Sequence, residues 1–284
     1  MGSSMTYKEL FEQGTQSLLA AGVPEAKLDA RLLLEYVCNT DYNTLLVHGD
    51  MSVDYEKQEC FKALLAKRCA RIPLQQLTGE QEFCGFSFMV NEHVLIPRQD
   101  TEILVEEALK HLEPGKRLLD MCTGSGCILI SLLAFKDGVQ GCGVDISDEA
   151  LKVAAVNGQK LLPEEKQPEW LKGDLFTPVS DKYDVIVSNP PYIKSAVIES
   201  LMPEVREHEP IGALDGREDG LFFYRRIIAE SHKYLKEAGW LLFEIGADQG
   251  IEVRELMVEA GFSKVQIRKD YAGLDRVVSG YLQR

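Results

Sequence analysis

Leu118-Leu119-Asp120-Met121-Cys122-Thr123-Gly124-Ser125-Gly126-Cys127 reads as an apolar strand, a glycine-rich turn and the start of a helix. The strand covers Arg117 to Met121 and the helix runs on to Phe135. Glycines in such a turn let the backbone approach a bound molecule closely. The spacing stops short of the dinucleotide fingerprint G-x-G-x-x-G, because Leu129 stands where the third glycine belongs. G-x-x-x-x-G-K-[ST] is also missing, so neither a dinucleotide pyrophosphate nor a nucleoside triphosphate is indicated.

Downstream, Val139 to Asp145 forms a second strand that ends on an acid. A carboxylate there can accept both hydroxyls of a ribose, or it can cap the helix that follows. Further on, the apolar run Tyr183-Asp-Val-Ile-Val-Ser188 leads into Asn189-Pro190-Pro191-Tyr192. In open α/β sheets, ligands bind at the carboxyl ends of strands. The two prolines fix φ and hold their carbonyls still. Asn189, preceding a proline, is driven to extended geometry. Its side-chain oxygen and the Pro190 carbonyl can accept the two hydrogens of one –NH2 group. Tyr192 can offer a flat face to a planar amide or base. Asn-Pro is also an ordinary turn signal, so the tetrapeptide alone does not decide. Glycine loop, acidic strand end and this tetrapeptide together are the pattern of an S-adenosylmethionine site facing a clamped nitrogen.

The elements around these motifs alternate strand and helix from about residue 98. Asp148 to Lys160 is a helix that Ser147 or Asp148 can cap, and Trp170 to Lys172 a short strand. Gly220 to Lys236 is a helix, Trp240 to Ile245 a strand, and Gln249 to Ala260 a helix. Val265 to Lys269 and Arg276 to Leu282 lie too close for a crossover helix and are expected to be antiparallel. The fold class is thus α/β: a Rossmann-like, seven-stranded, mostly parallel sheet with a terminal antiparallel hairpin, preceded by a small helical bundle. Expected domains are a helical one over 1–72, a β-hairpin linker over 73–97 and the sheet domain over 98–284. In the bundle, Thr6 and Glu9 fit a capping box, Leu10, Phe11, Leu18 and Leu19 recur at helical spacing, and Ser52 can cap a helix over Val53 to Arg71 with Phe61, Leu64 and Leu65 inward. The Lys67-Arg68…Arg71 cluster reads as a solvated helix face, and His48 as a surface histidine.

Composition limits the function classes. The chain has 284 residues, 45% hydrophobic and 27% charged, which suits a globular protein with a sizeable core. No apolar run approaches a membrane span, and no secretory signal is visible. Met1-Gly-Ser-Ser4 reads as a vector-derived remnant ahead of Met5. Seven cysteines without C-x-x-C spacing indicate a reduced, cytoplasmic setting and no structural metal. A net charge of −14 disfavours duplex DNA, whose affinity comes from neutralised phosphates.

Across nearly all of its length the chain resembles the protein-(glutamine-N5) methyltransferases that act on peptide chain release factors, the PrmC/HemK family. The resemblance rests on Leu95-Ile-Pro-Arg-Gln-Asp-Thr-Glu102, Asp120 to Cys127, Gly173-Asp-Leu-Phe176, Asn189 to Tyr192, Glu209-Pro…Ala213-Leu-Asp-Gly216, Asp219-Gly-Leu221 and Lys269 to Arg276. It implies methyl transfer from S-adenosylmethionine, leaving S-adenosylhomocysteine, to the glutamine side-chain nitrogen of a release factor's Gly-Gly-Gln motif, modulating translation termination. By the resemblance, Cys122, Thr123, Gly124, Ser125 and Gly126 wrap the methionine end of the donor, Asp145 holds its ribose, and Asp174, Leu175 and Phe176 flank its adenine. Asn189, which also borders the donor, and Pro190 hold the glutamine amide, with Pro191 and Tyr192 completing the slot; Asn189, Pro190 and Tyr192 are the catalytic set. Arg98 and Glu102 either border the donor pocket or form a helix start. The family usually has Gly where Cys122 stands and Pro where Gln99 stands. The expected partner is a release factor, with no DNA or membrane contact and a monomeric chain. Adenine-N6 DNA or RNA methyltransferases share the Asn-Pro-Pro-Tyr clamp and remain the alternative.

Overall fold

The computed structural model describes residues 5–283, so the remnant reading of residues 1–4 lies outside the described residues. Two compact units divide the chain: 1–79 with 202–208, and 80–201 with 209–284.

The first unit is helical. It holds α1 (Tyr7–Ala20), α2 (Ala26–Cys38), α3 (Tyr42–Val47), α4 (Tyr55–Cys69) and α5 (Leu74–Thr78). α1 starts on the expected capping box: Glu9 N–H donates to Thr6 Oγ1 at 3.2 Å, and Thr6 N–H to Glu9 Oε2 at 2.8 Å. Leu10, Leu18, Ala30, Leu33, Leu34 and Phe61 form its dry centre. Leu19, placed inward by the spacing, instead lies 61% exposed, one position off the buried stripe. Ser52 does not cap α4. It forms an isolated antiparallel bridge with Thr6, and the helix begins three residues later at Tyr55.

The expected solvated face at Arg68 and Arg71 is a buried charge node. Arg68 Nε donates to Asp29 Oδ2 at 2.7 Å, and its Nη2 to Glu204 Oε1 at 2.8 Å. Arg71 grips both Glu204 oxygens at 2.7 and 2.6 Å. The partner glutamate sits far along the chain, which is why no local charge pattern revealed the node. Burial alone would raise the Glu204 carboxyl; the hydrogen bonds from Arg71 and Arg68 outweigh it and hold the group down at about 2.

The second unit opens with a hairpin, β1 (Glu80–Phe83) and β2 (Phe86–Met89), followed by α6 (Glu102–Leu109). The segment expected as a linker therefore divides, α5 lying with the first unit and the hairpin with the second. Next come β3 (Arg117–Met121), α7 (Cys127–Phe135), β4 (Gln140–Asp145), α8 (Asp148–Leu161), β5 (Glu169–Lys172) and β6 (Tyr183–Ser188). Short helices α9 (Ser195–Ile198), α10 (Pro203–His208, in the first unit) and α11 (Ile211–Leu214) precede α12 (Phe222–Tyr234), β7 (Leu235–Glu244), α13 (Gly250–Glu259), β8 (Ser263–Lys269) and β9 (Asp275–Tyr281).

Seven strands form one sheet in the order β5-β4-β3-β6-β7-β9-β8. β5 through β7 are parallel, while β9 is antiparallel to both neighbours. Side chains alternate across the pleat. Leu119, Met121, Ile186, Leu241 and Phe243 face the core under α12 and α13, whereas Leu118, Val185, Val187 and Leu242 face the core under α6 and α7. Burial on both faces explains why β6 reads as a continuous apolar run. The strand order reverses between β3 and β6, the switch point where such sheets open a crevice. Among the described residues, no helix is long and apolar enough to cross a membrane.

Removing one partner of a buried ion pair costs about 3 kcal/mol, so Glu204→Gln is expected to lower the full chain's stability to urea by that order at neutral pH. The folded carboxyl is depressed to about 2 against an ordinary 4.5, so its stabilising share is present above 4.5 and lost as pH falls towards 2. The gap between parent and variant should accordingly narrow through that window; an equal gap at both ends of it would contradict the assignment.

Candidate active site

A cavity of about 280 Å³ opens over the carboxyl ends of β3, β4 and β6. Parallel pairing sets Met121 opposite Ser188 and Val144, so the segments leaving all three strands start side by side. Cys122, Thr123, Gly124 and Ser125 supply one wall, Asp145, Ile146 and Ser147 a second, and Gly173, Asp174 and Leu175 a third. Asn189 and Pro191 face it from β6. His93 to Arg98, Pro210 to Ala213, Arg217 and Phe223 complete the rim.

Hydrogen bonds fix the glycine loop from three directions. Thr123 Oγ1 donates to Asp120 Oδ2 at 2.6 Å, and Thr123 N–H to the Val144 carbonyl at 3.0 Å. Asp145 Oδ2 accepts the Gly124 N–H and Oδ1 the Ser147 N–H, both at 2.9 Å. Asn157, fully buried on α8, donates to the Ser125 carbonyl at 3.0 Å and also pairs with both backbone groups of Met89. The helix cap itself is Ser147, whose Oγ accepts from Ala150. Asp145 is therefore left to brace the loop and face the cavity.

Burial raises both loop carboxylates. Asp120 is pushed up to about 7, with the Thr123 hydroxyl acting against the rise. Asp145 is raised too, with the Ser147 and Gly124 N–H groups acting against the rise by favouring its charged form. Burial, together with Asp145 and Asp120, drives the Cys122 thiol far above its ordinary range. A thiol so suppressed is no nucleophile.

Several expected residues are set back from the cavity or already engaged by other side chains. Phe176 is 1% exposed and stacks on Tyr234 with centroids 4.6 Å apart, so its side chain belongs to the core and not to the cavity wall. Gly126 caps α7 at φ +79, and a Cβ there would meet Ile130 and Trp170 at 3.0 Å. Its role is close packing behind the cavity. Pro190 is buried behind Asn189 and Pro191, and Tyr192 turns its hydroxyl to Glu244 Oε1 at 3.2 Å. The Asp174 carboxylate, expected beside an adenine, is forked by Arg226 at 3.0 and 2.8 Å. The two readings of Arg98 and Glu102 divide between them. Arg98 lines the cavity and donates to Glu209 Oε2 at 2.5 Å, whereas Glu102 accepts the Cys84 N–H at 2.7 Å in the hairpin turn.

The family described as the PrmC N-terminal domain matches residues 9–79, and that described as the methyltransferase small domain matches 99–205. A release factor glutamine methyltransferase of Geobacter sulfurreducens is 40% identical over 276 residues, covering 97% of this chain and 96% of its own. The chain belongs to the release factor glutamine methyltransferase family. Another member, from Clostridium acetobutylicum, is 40% identical and covers 88% of this chain and 89% of its own. A solved methyltransferase from Pyrococcus furiosus, 16% identical, covers 78% of this chain and 98% of its own with a TM-score of 0.53, a likeness of fold alone. The chain is a methyltransferase.

The two departures from the family pattern now have physical meaning. Cys122 sits at φ +63, in the left-handed region that glycine enters without penalty. Gln99 is the first residue of a short 3-10 turn, a place where proline's fixed φ is suited. The sequence assigns no role to Asn157, Glu244 or Gln249, and it offers Glu209 only as part of the segment that carries the resemblance. Each is a buried polar residue whose partner lies distant in sequence: Met89 and Ser125 for Asn157, Ile96 and Arg98 for Glu209, Tyr192 for Glu244 and Gln249.

Gly126→Ala must force a Cβ into left-handed backbone against Ile130, Trp170 and Ala154. A cost of about 2 kcal/mol is expected in urea denaturation; an unchanged midpoint would show that the turn relaxes freely.

Proposed function

We propose that this enzyme transfers a methyl group from S-adenosylmethionine to the side-chain amide nitrogen of the Gly-Gly-Gln glutamine in a peptide chain release factor, and so modulates translation termination. One observation carries the reading. Among the described residues neither the Asn189 carboxamide nor the Pro190 carbonyl is engaged in a hydrogen bond; both follow β6 directly, and Asn189 lines the cavity. Two free acceptors at that edge suit the two hydrogens of one planar –NH2 group. The relatives' names supply the class of protein that carries it.

The cavity's donor set fits S-adenosylmethionine. Each Asp145 oxygen spends one lone pair on a backbone N–H, which leaves one apiece for a ribose's two hydroxyls. The backbone of Cys122 to Ser125 would hold the amino-acid end, and Ile146 and Leu175 give an apolar edge for the base. Gly126 and Phe176 would act from behind, by fixing α7 and the Leu175 turn. When bound, the donor supplies an electrophilic methyl on a sulfonium.

The protein's own part is alignment and charge. An amide nitrogen is a weak nucleophile because its lone pair is delocalised. Asn189 and Pro190 oxygens on its hydrogens fix its plane and raise its electron density. They also stabilise the positive charge that grows on nitrogen as the new N–C bond forms and the S–C bond breaks. Holding the amide in line is worth several powers of ten. The suppressed Cys122 thiol offers no base, and the proton shed by nitrogen after transfer passes to water.

The helical unit, which bears no catalytic constellation and matches the family's N-terminal domain, serves as the substrate-recognition unit. Seven free thiols support a cytoplasmic setting.

Labelled donor offered with release factor and with DNA should mark the release factor. Asn189→Ala should cut transfer by about 100-fold or more with donor affinity held within about threefold. Asp145→Ala should do the reverse, weakening donor binding about 100-fold in calorimetry. Label on DNA adenine, or an active Asn189→Ala, would sink the assignment.

A further inference from the structure

Tyr192 is held at both ends by residues outside the tetrapeptide. Its phenol donates to Glu244 Oε1 at 3.2 Å. Its backbone carbonyl accepts from Gln249 Nε2 at 3.0 Å, and the same nitrogen reaches the Gly220 carbonyl at 3.3 Å. Gln249 is itself anchored, because its Oε1 accepts the Gly246 N–H at 3.0 Å. One strand–helix turn carries both residues, Glu244 closing β7 and Gln249 preceding α13.

Both side chains are buried, at 2% and 5% exposure. A carboxylate so placed is costly beside an apolar residue of the same volume. Burial raises the Glu244 carboxyl, and the Thr101 hydroxyl, the Arg276 charge and the Tyr192 phenol act against that rise. The nearby Arg276 guanidinium is committed to Asp270, Asp100 and the Ile245 carbonyl. Two hydroxyls face the Glu244 carboxylate, that of Thr101 at the start of α6 and that of Tyr192, and only the Tyr192 bond reaches the tetrapeptide. On the opposite side of that residue the backbone is equally tight. A Cβ on Gly220, at φ +77, would lie 2.4 Å from the Tyr192 carbonyl oxygen.

We propose that Glu244 and Gln249 are positioning residues for methyl transfer, fixing Tyr192 by its hydroxyl and its carbonyl and thereby setting where the Asn189 and Pro190 acceptors stand. The inference rests on the reading of 189–192 as the substrate clamp. Neither side chain touches the reacting atoms, and both act through Tyr192. The adjoining prolines leave the tetrapeptide few internal torsions, so a tilt at Tyr192 is passed to its neighbours.

The test is steady-state kinetics of the full chain with S-adenosylmethionine and a release factor. Tyr192→Phe and Glu244→Leu should each lower kcat about tenfold, with donor affinity in calorimetry unchanged within about twofold. Their double variant should be no slower than Glu244→Leu, because both remove the same bond. Glu244→Gln, whose amide oxygen still accepts the phenol, should stay within about threefold of the parent. Gln249→Met, lacking the donor, should slow transfer like Glu244→Leu. Losses that multiply in the double variant, or a parental kcat in Glu244→Leu, overturn the inference. If Glu244→Leu does not fold, Tyr192→Phe and Gln249→Met decide alone, and parental rates there overturn it. Asn189→Ala run alongside separates the layers: activity there refutes the clamp itself, while its loss beside unchanged Tyr192→Phe and Gln249→Met refutes only the positioning role.

Discussion

The parallel pairing of β3 with β6 is the constraint on which the site depends. Register places Met121 beside Ser188, and the Ser188 hydroxyl locks it by donating to the Met121 carbonyl at 2.6 Å in a fully buried setting. A buried carbonyl at a strand end must find a donor, and this one does so across the switch point. The next residue on each strand is then already at the cavity: Cys122 on one side, Asn189 on the other. A slip of one residue would turn every β6 side chain to the opposite core and would carry Asn189 away from the glycine loop. The glycine loop and the Asn189 segment are thus positioned by the sheet itself.

Around that axis, buried polar side chains act as fasteners. Asp120 ties Thr123, Asp145 ties Gly124, Asn157 ties Ser125, and Gln249 ties Tyr192. Each such bond adds about 1 kcal/mol net, but an unpaired buried group costs more. The geometry of the loop is therefore cooperative, and strain is tolerated within it. Cys122 at φ +63 and Leu175 at φ +50 both lie on the cavity wall, where left-handed backbone in side-chain-bearing residues is held only by surroundings that over-determine it.

The centre of the sheet was legible because β3 and β6 are buried on both faces; β3, α7 and β6 begin and end where their apolar runs do. The motif residues were legible where backbone approach or a strand-end carboxylate dictates residue type, as at Gly124 and Asp145. Pairings between distant residues were not. Arg68 and Arg71 looked like solvated charges until Glu204 was seen against them. Phe176 is placed beside an adenine only by the resemblance, and its ring, one residue after the left-handed turn at Leu175, stacks in the core against Tyr234. Sequence shows which groups are reactive in kind; three-dimensional partners decide which remain free.

The account's central claim is that the clamp presents a glutamine amide to a methyl donor. Tandem mass spectrometry of a release factor incubated with this enzyme and S-adenosylmethionine tests it most directly. The account predicts a gain of one CH2 on the glutamine of the Gly-Gly-Gln motif, at its side-chain nitrogen. An unmodified glutamine, or the same gain on another residue of the release factor, would contradict it.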